Sequence, residues 1–214
     1  IISSMYIIYN TIPMISEAIK EDFLFYTILV FMIIASLKIY QESEVFNLKC
    51  IISEVDGKKY CVRNRLKLKE AADLLAATTN KMSDFVNKLH SSHPSDKRVI
   101  RLKQKFDPKK VQETLPTSKL TAYSENKGEK VAFCLGRTKH SEQLIDDHTL
   151  TFVYLHELSH VMSTSVGHTE EFWTNFKFLL QEAKKMGIHD PRNYKQDNQT
   201  YCGMTISDNP YYDH

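Results

Sequence analysis

The chain has 214 residues, of which 42% are hydrophobic and 25% charged, and its formal net charge is +2. These values are typical of a folded protein with one domain and an appendage, or with two small domains, and they exclude a disordered, fibrous or low-complexity chain. The small net charge indicates no particular class of partner. The four cysteines contain no C-x-x-C pair, which excludes the common zinc-ribbon and thioredoxin-like motifs and leaves the redox compartment open.

The first element is an apolar run near the N-terminus. Residues 23–37 read FLFYTILVFMIIASL and carry no charge. With the next three residues the run would form a helix about 27 Å long, close to the roughly 30 Å hydrocarbon thickness of a membrane. A core helix would keep a polar stripe, and a signal peptide would have a basic start and a small-residue cleavage site. We therefore predict a flank at residues 1–22, an uncleaved transmembrane anchor at residues 23–40 and a soluble domain at residues 41–214.

Basic residues near the ends of this run predict its orientation. Lys20 is the nearest cation on the N-terminal side, whereas Lys38 and Lys49 follow the run. Cytosolic flanks carry more Lys and Arg, so the excess after the run favours a cytosolic position for the soluble domain. An Asn-Gln-Thr sequon at Asn198 would be used only if the domain were lumenal.

The soluble domain begins with a predicted hairpin. Two β-rich runs flank the pair Asp56-Gly57, which is a strong turn signal. Such a hairpin places Cys50 and Cys61 near each other. A disulfide and two buried thiols both fit this position, so the sequence leaves the choice open.

Two helices are predicted after the hairpin. Residues 68–90 have helical spacing of apolar positions, and Pro94 favours a loop, rather than a metal site, around His90 and His93. The basic segment at residues 97–110 would suit phosphates of nucleic acid or lipid. No aromatic interleaving or finger spacing accompanies it, and we prefer an amphipathic helix with a solvated Lys/Arg face.

A second pair of strands is predicted around the Gly-containing turn at residues 126–128. The later strand, at residues 131–135, directly precedes the segment that contains the chemistry. We expect it to be an edge strand that pairs with an extended substrate.

The most informative segment reads HELSHVMSTSVGHTEEFW and covers residues 156–173. Asp146 and Asp147 before it are good caps for a helix of about four turns. On that helix His156 and His160 leave the same face and can supply two nitrogens to one zinc ion. Glu157 lies beside this face, where a carboxylate can take a proton from water that the metal activates.

A catalytic zinc site uses three protein ligands, so a third must be found. His168 would lie about 12 Å beyond His160 on a continuous helix, and the chain must therefore break. Residues 163–167, STSVG, favour a break because Ser and Thr are poor mid-helix residues and Gly167 tolerates positive φ. Thr169 can then cap a new helix. The predicted site consists of three metal ligands and one general base: His156, His160, His168 and Glu157.

The motif HELSH followed by GHTEEFW, with an acidic pair and an aromatic pair after the third histidine, resembles the WLM/SprT-like group of zinc metallopeptidases. The resemblance covers about residues 119–187 and is most specific over residues 156–173. It implies Zn²⁺ as cofactor and peptide-bond hydrolysis, and the same four residues as ligands and base. The seven residues between the second and third histidines make a longer turn than that group's pattern has.

The fold that we expect is α+β and zincin-like, with a small antiparallel sheet packed on the HExxH helix and one N-terminal transmembrane helix. Known members of the group often act on DNA-bound proteins or ubiquitin-like conjugates. A membrane anchor is not typical of them, so we carry over the peptidase chemistry without that substrate class.

The predicted function is a membrane-anchored zinc metalloendopeptidase that acts on protein or peptide substrates, with its catalytic domain in the cytosol. Two alternatives stay open, namely a zinc-binding scaffold without turnover and a DNA-associated protease of the WLM/SprT type. Nucleic acid itself is not an expected partner. Near the C-terminus, Tyr201 either donates to the oxyanion or packs as an ordinary aromatic, and Cys202 lacks a nearby partner ligand for a metal.

Overall fold

The computed structural model describes residues 22–41, 43 and 47–212. The chain divides into two compact units, residues 1–46 and residues 47–214. The predicted N-terminal flank lies, apart from its last residue, outside the described residues. The predicted domain boundaries stay a prediction.

Helix α1, Asp22–Gln41, is the main described element of the first unit. Its most apolar window has a mean hydropathy of 2.1, and none of that window is buried. The hydroxyl of Thr27 donates to the carbonyl of Phe23 at 2.7 Å, so this polar group is satisfied within the helix. By length and composition α1 is apolar enough to cross a membrane, a property that it shares with signal sequences.

The second unit is a mixed α+β domain, as predicted. Its helices are α2 (Leu68–Ser92), α3 (Lys97–Lys105), α4 (Asp147–Met162) and α5 (Glu170–Lys185), with 3₁₀ turns at Pro108–Lys110 and Pro210–Tyr212. Its strands are β1 (Leu48–Ile52), β2 (Lys59–Arg63), β3 (Val111–Glu113), β4 (Ala122–Glu125), β5 (Lys130–Phe133), β6 (Gln199–Tyr201) and β7 (Met204–Ile206).

The strands form three small sheets. Hairpins β1–β2 and β6–β7 are antiparallel, and the central sheet has the order β3-β5-β4. Strand β3 runs parallel to β5 and β4 runs antiparallel to it, so the predicted antiparallel sheet is in fact mixed. The prediction of an edge strand at residues 131–135 is also wrong. Strand β5 is central because the three-residue strand β3 pairs with its far side, and β4 is the edge strand that contacts α4.

The end of α2 differs from the prediction. The helix continues through Ser92, so His90 lies in its last turn and His93 caps it instead of lying in a loop. Pro94 disfavours the helical conformation only at the residue just before it, which is His93. The helix can therefore extend through Ser92. The ring of His93 contacts the Glu182 carboxylate at 3.1 Å.

Helix α4 lies at the centre of the domain, in contact with α2, α3, α5 and β4. Tyr154 on this helix is fully buried, stacks on Phe133 at 4.3 Å and meets Phe106 edge-on at 6.0 Å between ring centroids. A helix that is buried on nearly all sides is apolar nearly all round, which explains the long apolar stretch before the first histidine.

The turn between β4 and β5 packs closely against the helices. Asn126 and Lys127 adopt positive φ angles of 46° and 60°, and Gly128 follows at 105°. A Cβ atom on Gly128 would lie 2.8 Å from the Lys105 carbonyl oxygen and 2.9 Å from Val161. Only glycine fits this contact, which fixes the central sheet against the last turn of α4.

Hairpin β1–β2 is attached to the domain through a buried ionic network. The fully buried carboxylate of Glu113 accepts the backbone N–H of Arg63 at 2.8 Å and pairs with the guanidinium of Arg65. Arg63 also donates to the carbonyl oxygens of Thr114 and Lys139, each at 2.6 Å. Buried charges are tolerated when they are paired and hydrogen-bonded in this way.

Candidate metal centre

The three predicted ligands meet where α4 ends and α5 begins. His156 and His160 project from successive turns of α4, and His168 comes from the turn that follows. One nitrogen of each ring lies within 4.8 Å of the others. The ring centroids form a nearly equilateral triangle with sides of 5.0, 5.0 and 4.9 Å. This is the arrangement that three-point binding of one metal ion requires.

The cluster fits a tetrahedral metal ion. The Nε2 atoms of His156 and His168 are 3.1 Å apart. Two nitrogens on one tetrahedral zinc ion, at about 2.0–2.1 Å from the metal, would lie about 3.3 Å from each other. The pKa of His156 is lowered to about 3 and that of His160 to about 4. Burial is the main cause of both shifts, and the neighbouring histidines lower the two pKa values further. Both rings are therefore neutral near pH 7, as metal ligation requires.

Glu157 is buried beside the ligands, with 3% of its surface exposed. Its Oε2 atom has no hydrogen-bond partner among the described residues. Such an atom is unusual in a protein interior and marks a place where a further group is expected. Burial raises the pKa of this carboxyl to about 8. A divalent cation at the histidines would lower it again and favour the carboxylate.

The turn that delivers His168 is held by Glu171, in the first turn of α5. Its carboxylate accepts the backbone N–H of Thr164 at 2.8 Å, the N–H of Ser165 at 2.9 Å and the Thr164 hydroxyl. These hydrogen bonds, led by the one from Thr164, lower the pKa of Glu171 to about 2. Gly167 provides the predicted positive φ, at 83°. This role of Glu171 was not predicted from the sequence.

Cations also hold the end of α4, where the last carbonyl groups of a helix lack partners. The Arg101 guanidinium donates to the Met162 carbonyl at 2.8 Å. The Lys127 ammonium group, from the β4–β5 turn, donates to the Ser165 carbonyl. Long-range contacts of this kind give no periodic signal in a sequence, and the two residues were not predicted.

One aromatic ring packs against all three ligands. The fully buried Phe172 lies 4.8 Å from His156, 4.3 Å from His160 and 4.7 Å from His168, measured between ring centroids. Trp173 lies 5.6 Å from His168. From the sequence, Phe172 was identified only as part of the aromatic pair in the family resemblance. The aromatic pair that follows the third histidine is therefore the sequence signal of this packing.

Tyr201 and Cys202 lie in the C-terminal hairpin β6–β7, where both have structural contacts. The Tyr201 hydroxyl donates to the Thr121 carbonyl and accepts the N–H of Cys134, both at 3.1 Å. The hydroxyl proton is thus bonded to the backbone. Tyr201 therefore packs as an ordinary aromatic residue and does not donate to an oxyanion in this structure. Cys202 forms a disulfide with Cys134, and Cys50 forms one with Cys61. Cys202 is therefore a covalent tie for the hairpin.

A cleft of about 720 Å³ opens beside His156, Glu157 and His168. One side is formed by Ala122 of β4 and by the segment before it. The N–H of Cys134 donates to the Thr121 carbonyl, so Thr121 directs its backbone groups toward β5. Because successive residues of an antiparallel strand alternate in this direction, Ala122 directs its N–H and carbonyl away from β5, to the outer edge of β4. Among the described residues no strand pairs with that edge.

The basic segment at residues 97–110 contains helix α3, as preferred. Arg98 donates to the Asp96 carboxylate at 2.7 Å and lies over the ring of Phe178 at 4.7 Å. Lys103 donates to Asn87 at 2.5 Å. Much of the positive charge of α3 is therefore used in contacts within the domain.

An α+β domain with an HExxH helix and a third histidine after a turn defines a candidate metal-dependent hydrolase. The chain belongs to the WLM domain family, whose model matches residues 77–212. That family is linked to SprT-like metallopeptidases and is associated with zinc binding. The predicted resemblance is confirmed at this level.

Three viral relatives have similar sequences. An uncharacterized protein of Acanthamoeba polyphaga mimivirus is 28% identical over 163 residues, which is 73% of this chain and 81% of the relative. An uncharacterized protein of Invertebrate iridescent virus 3 is 39% identical over 83 residues, covering 39% of this chain and 50% of the relative. One of Invertebrate iridescent virus 6 is 40% identical over 57 residues, covering 27% and 31%. No solved structure matches the chain.

Proposed function

We propose that the domain is a zinc-dependent metallopeptidase with a zincin-like fold. The observation that best supports this is the position of Glu157, whose buried Oε2 atom has no partner among the described residues and which lines the same cleft as His156 and His168. A structural zinc site would be closed by a fourth protein ligand, often Cys, and all four cysteines are paired in disulfides. The open cleft and the unused carboxylate fit a hydrolytic site instead.

The residues of the chain then have separate roles. His156, His160 and His168 would hold the zinc ion, which when bound supplies Lewis acidity and lowers the pKa of water. Glu157 accepts a proton from the attacking water and donates it to the leaving amine. Phe172 and Glu171 keep the three imidazoles in place through the contacts described above, so that little reorganisation is needed during the reaction.

The substrate would bind as an extended strand along β4. Its backbone would pair with the open edge of β4 at Ala122, which borders the cleft, and would place a peptide bond near Glu157. Strand β4 thus takes the place of β5 as the strand that pairs with the substrate, because β5 is already paired on both sides.

Helix α1 would anchor the enzyme in a membrane. The cytosolic orientation of the domain rests on the positions of lysines and stays a prediction. The two disulfides weigh against it, since such bonds persist mainly in oxidising compartments. Protease protection of the full chain in sealed microsomes, with alkylation of free thiols, decides between the two orientations.

The function is tested with Glu157→Gln, which keeps the shape of the side chain and removes the base. The zinc-loaded wild type should cleave unfolded protein substrates, and the variant should keep stoichiometric zinc and lose cleavage by several orders of magnitude. If wild type and variant are equally inert over a broad panel of proteins, the alternative of a zinc-binding scaffold is supported.

The alternative of a DNA-associated protease needs a separate test. It predicts that the full chain binds DNA with an affinity that falls steeply with salt. An absence of binding at low salt would remove it. The internal contacts of Arg98 and Arg101 favour that result.

A further inference from the structure

The cleft beside the metal centre continues into an apolar region. The buried rings of Phe152 and Phe176 line it together with Trp173, and Met204 and Ile206 of β7 form a further part of its wall. Its volume of about 720 Å³ lies within the range of roughly 300–1,000 Å³ that is typical of ligand sites. The cleft therefore has room for several residues of an extended peptide.

The apolar wall is solvent-accessible although its side chains are large. Met204 is 52% exposed, Trp173 is 43% exposed and Leu120, at the same cleft, is 57% exposed. Apolar side chains grouped around a concavity usually mark a binding site. Apart from the catalytic groups, the charged residues that line the cleft are Lys119 and Asp208, and Asp208 is paired with Lys195 at 3.2 Å.

The apolar region directly adjoins the metal ligands. Phe176 lies 5.2 Å from the ring of His156 and 5.2 Å from Phe152, and Trp173 lies 5.6 Å from His168. A side chain bound there would therefore belong to a substrate residue next to, or one removed from, the bond that is cut. A charged side chain in the same place would lose water without gaining a partner.

We propose that this region of the cleft selects substrates with a large apolar side chain, such as Leu, Met or Phe, close to the scissile bond, and that Met204 and Ile206 of the C-terminal hairpin determine this selection. The proposal rests on the peptidase function proposed above and adds its substrate class. A well-fitted apolar pocket distinguishes side chains by about 10-fold or more.

Trp173 is the only tryptophan of the chain and reports directly on this cleft. The experiment uses the full zinc-loaded chain in detergent with Glu157→Gln, so that peptides bind without being cut. Blocked, tryptophan-free hexapeptides that differ only in one central residue, Leu, Ala, Asp or Lys, are titrated while the emission of Trp173 is followed. The Leu peptide should bind at least about tenfold more tightly than the Asp and Lys peptides.

A second substitution tests the wall itself. Met204→Asp, at an exposed position that tolerates a charge, should remove the preference for Leu and favour the Lys peptide. Ile52→Asp is the matched control, because Ile52 is an exposed apolar residue of β1, 69% exposed, that does not line the cleft. This control should keep the preference of the parent protein.

The outcomes separate the two proposals. Equal affinity for the Leu, Asp and Lys peptides, or an unchanged preference in Met204→Asp, overturns the specificity inference even if the wild type cleaves proteins. An apolar preference in binding, together with a wild type that cleaves nothing, supports the inference as a binding property and contradicts the peptidase function.

Discussion

The two terminal hairpins of the domain, β1–β2 and β6–β7, are held in different ways. Hairpin β1–β2 has its disulfide, Cys50–Cys61, between its own two strands, and it is fixed to the domain by the ionic network around Glu113. Hairpin β6–β7 is joined to the chain just after β5 by Cys134–Cys202. The first disulfide closes a separation of 11 residues and the second one of 68.

The difference follows from where each hairpin lies. Hairpin β1–β2 packs on α2 and β3, where a carboxylate can be buried and fully satisfied. Residues of hairpin β6–β7, among them Met204 and Ile206, line the cleft of the proposed active site. Two backbone hydrogen bonds, from the N–H of Cys202 to the Gly136 carbonyl and from the N–H of Gly203 to the Arg137 carbonyl, join this hairpin to the chain after β5. The Cys134–Cys202 disulfide adds a covalent link at the same place. A wall of the proposed active site is thus fixed to the domain by a covalent link.

The largest effect on stability is expected at the ionic network. Glu113→Gln leaves Arg63 and Arg65 buried without a counter-charge and should lower the free energy of unfolding by about 3–5 kcal/mol. The matched control is Glu54→Gln, which breaks the exposed pair with Lys69 in the same hairpin region and should leave the free energy of unfolding close to that of the wild type. Urea unfolding of both variants provides the measurement. Similar costs for the two would show that the network does not hold the hairpin.

The disulfides should differ in function more than in stability. From loop length, Cys134→Ala with Cys202→Ala should cost about 4 kcal/mol, and Cys50→Ala with Cys61→Ala about 3 kcal/mol. Only the first pair of substitutions frees a wall of the cleft, so it should reduce peptide cleavage under conditions where the protein stays folded. Cleavage rates at 10 °C, with circular dichroism to verify folding, provide the measurement. Equal losses of activity would contradict a special role of β6–β7.

The smallest effect is expected at the hydroxyl of Tyr201. In Tyr201→Phe the Cys134 N–H and the Thr121 carbonyl keep their bond to each other, so the cost should be about 0.5–1.5 kcal/mol. The turnover rate should fall by less than about tenfold, whereas loss of an oxyanion donor costs about 10²–10³. Tyr194→Phe is the control, since that buried hydroxyl has no partner among the described residues. A hundredfold loss in Tyr201→Phe alone would restore the oxyanion role.

The predictions that the structure confirms depend on local sequence signals. The turn at Asp56-Gly57, the cap at Asp146 and the break before His168 are all encoded within a few residues, and each lies where it was predicted. The grouping of the three histidines follows from helix spacing and from this break.

The features that the sequence did not predict depend on distant contacts. Strand β3 has only three residues and forms because β5 offers it a parallel partner, which changed the sheet from antiparallel to mixed. The pairing of Cys134 with Cys202 and the role of Glu171 in the ligand turn likewise join elements that meet only in the folded domain. No periodicity or turn signal reports such contacts.

The most direct test of the account is a competition titration of zinc against a chelator. His168→Ala removes the third ligand and should lower zinc affinity by at least about 10- to 100-fold, the scale of loss seen even for groups that only orient ligands. His140→Ala, at an exposed loop position outside the cluster, should bind zinc like the wild type. If His168→Ala also binds zinc like the wild type, the three histidines do not form the metal site and the central claim is wrong.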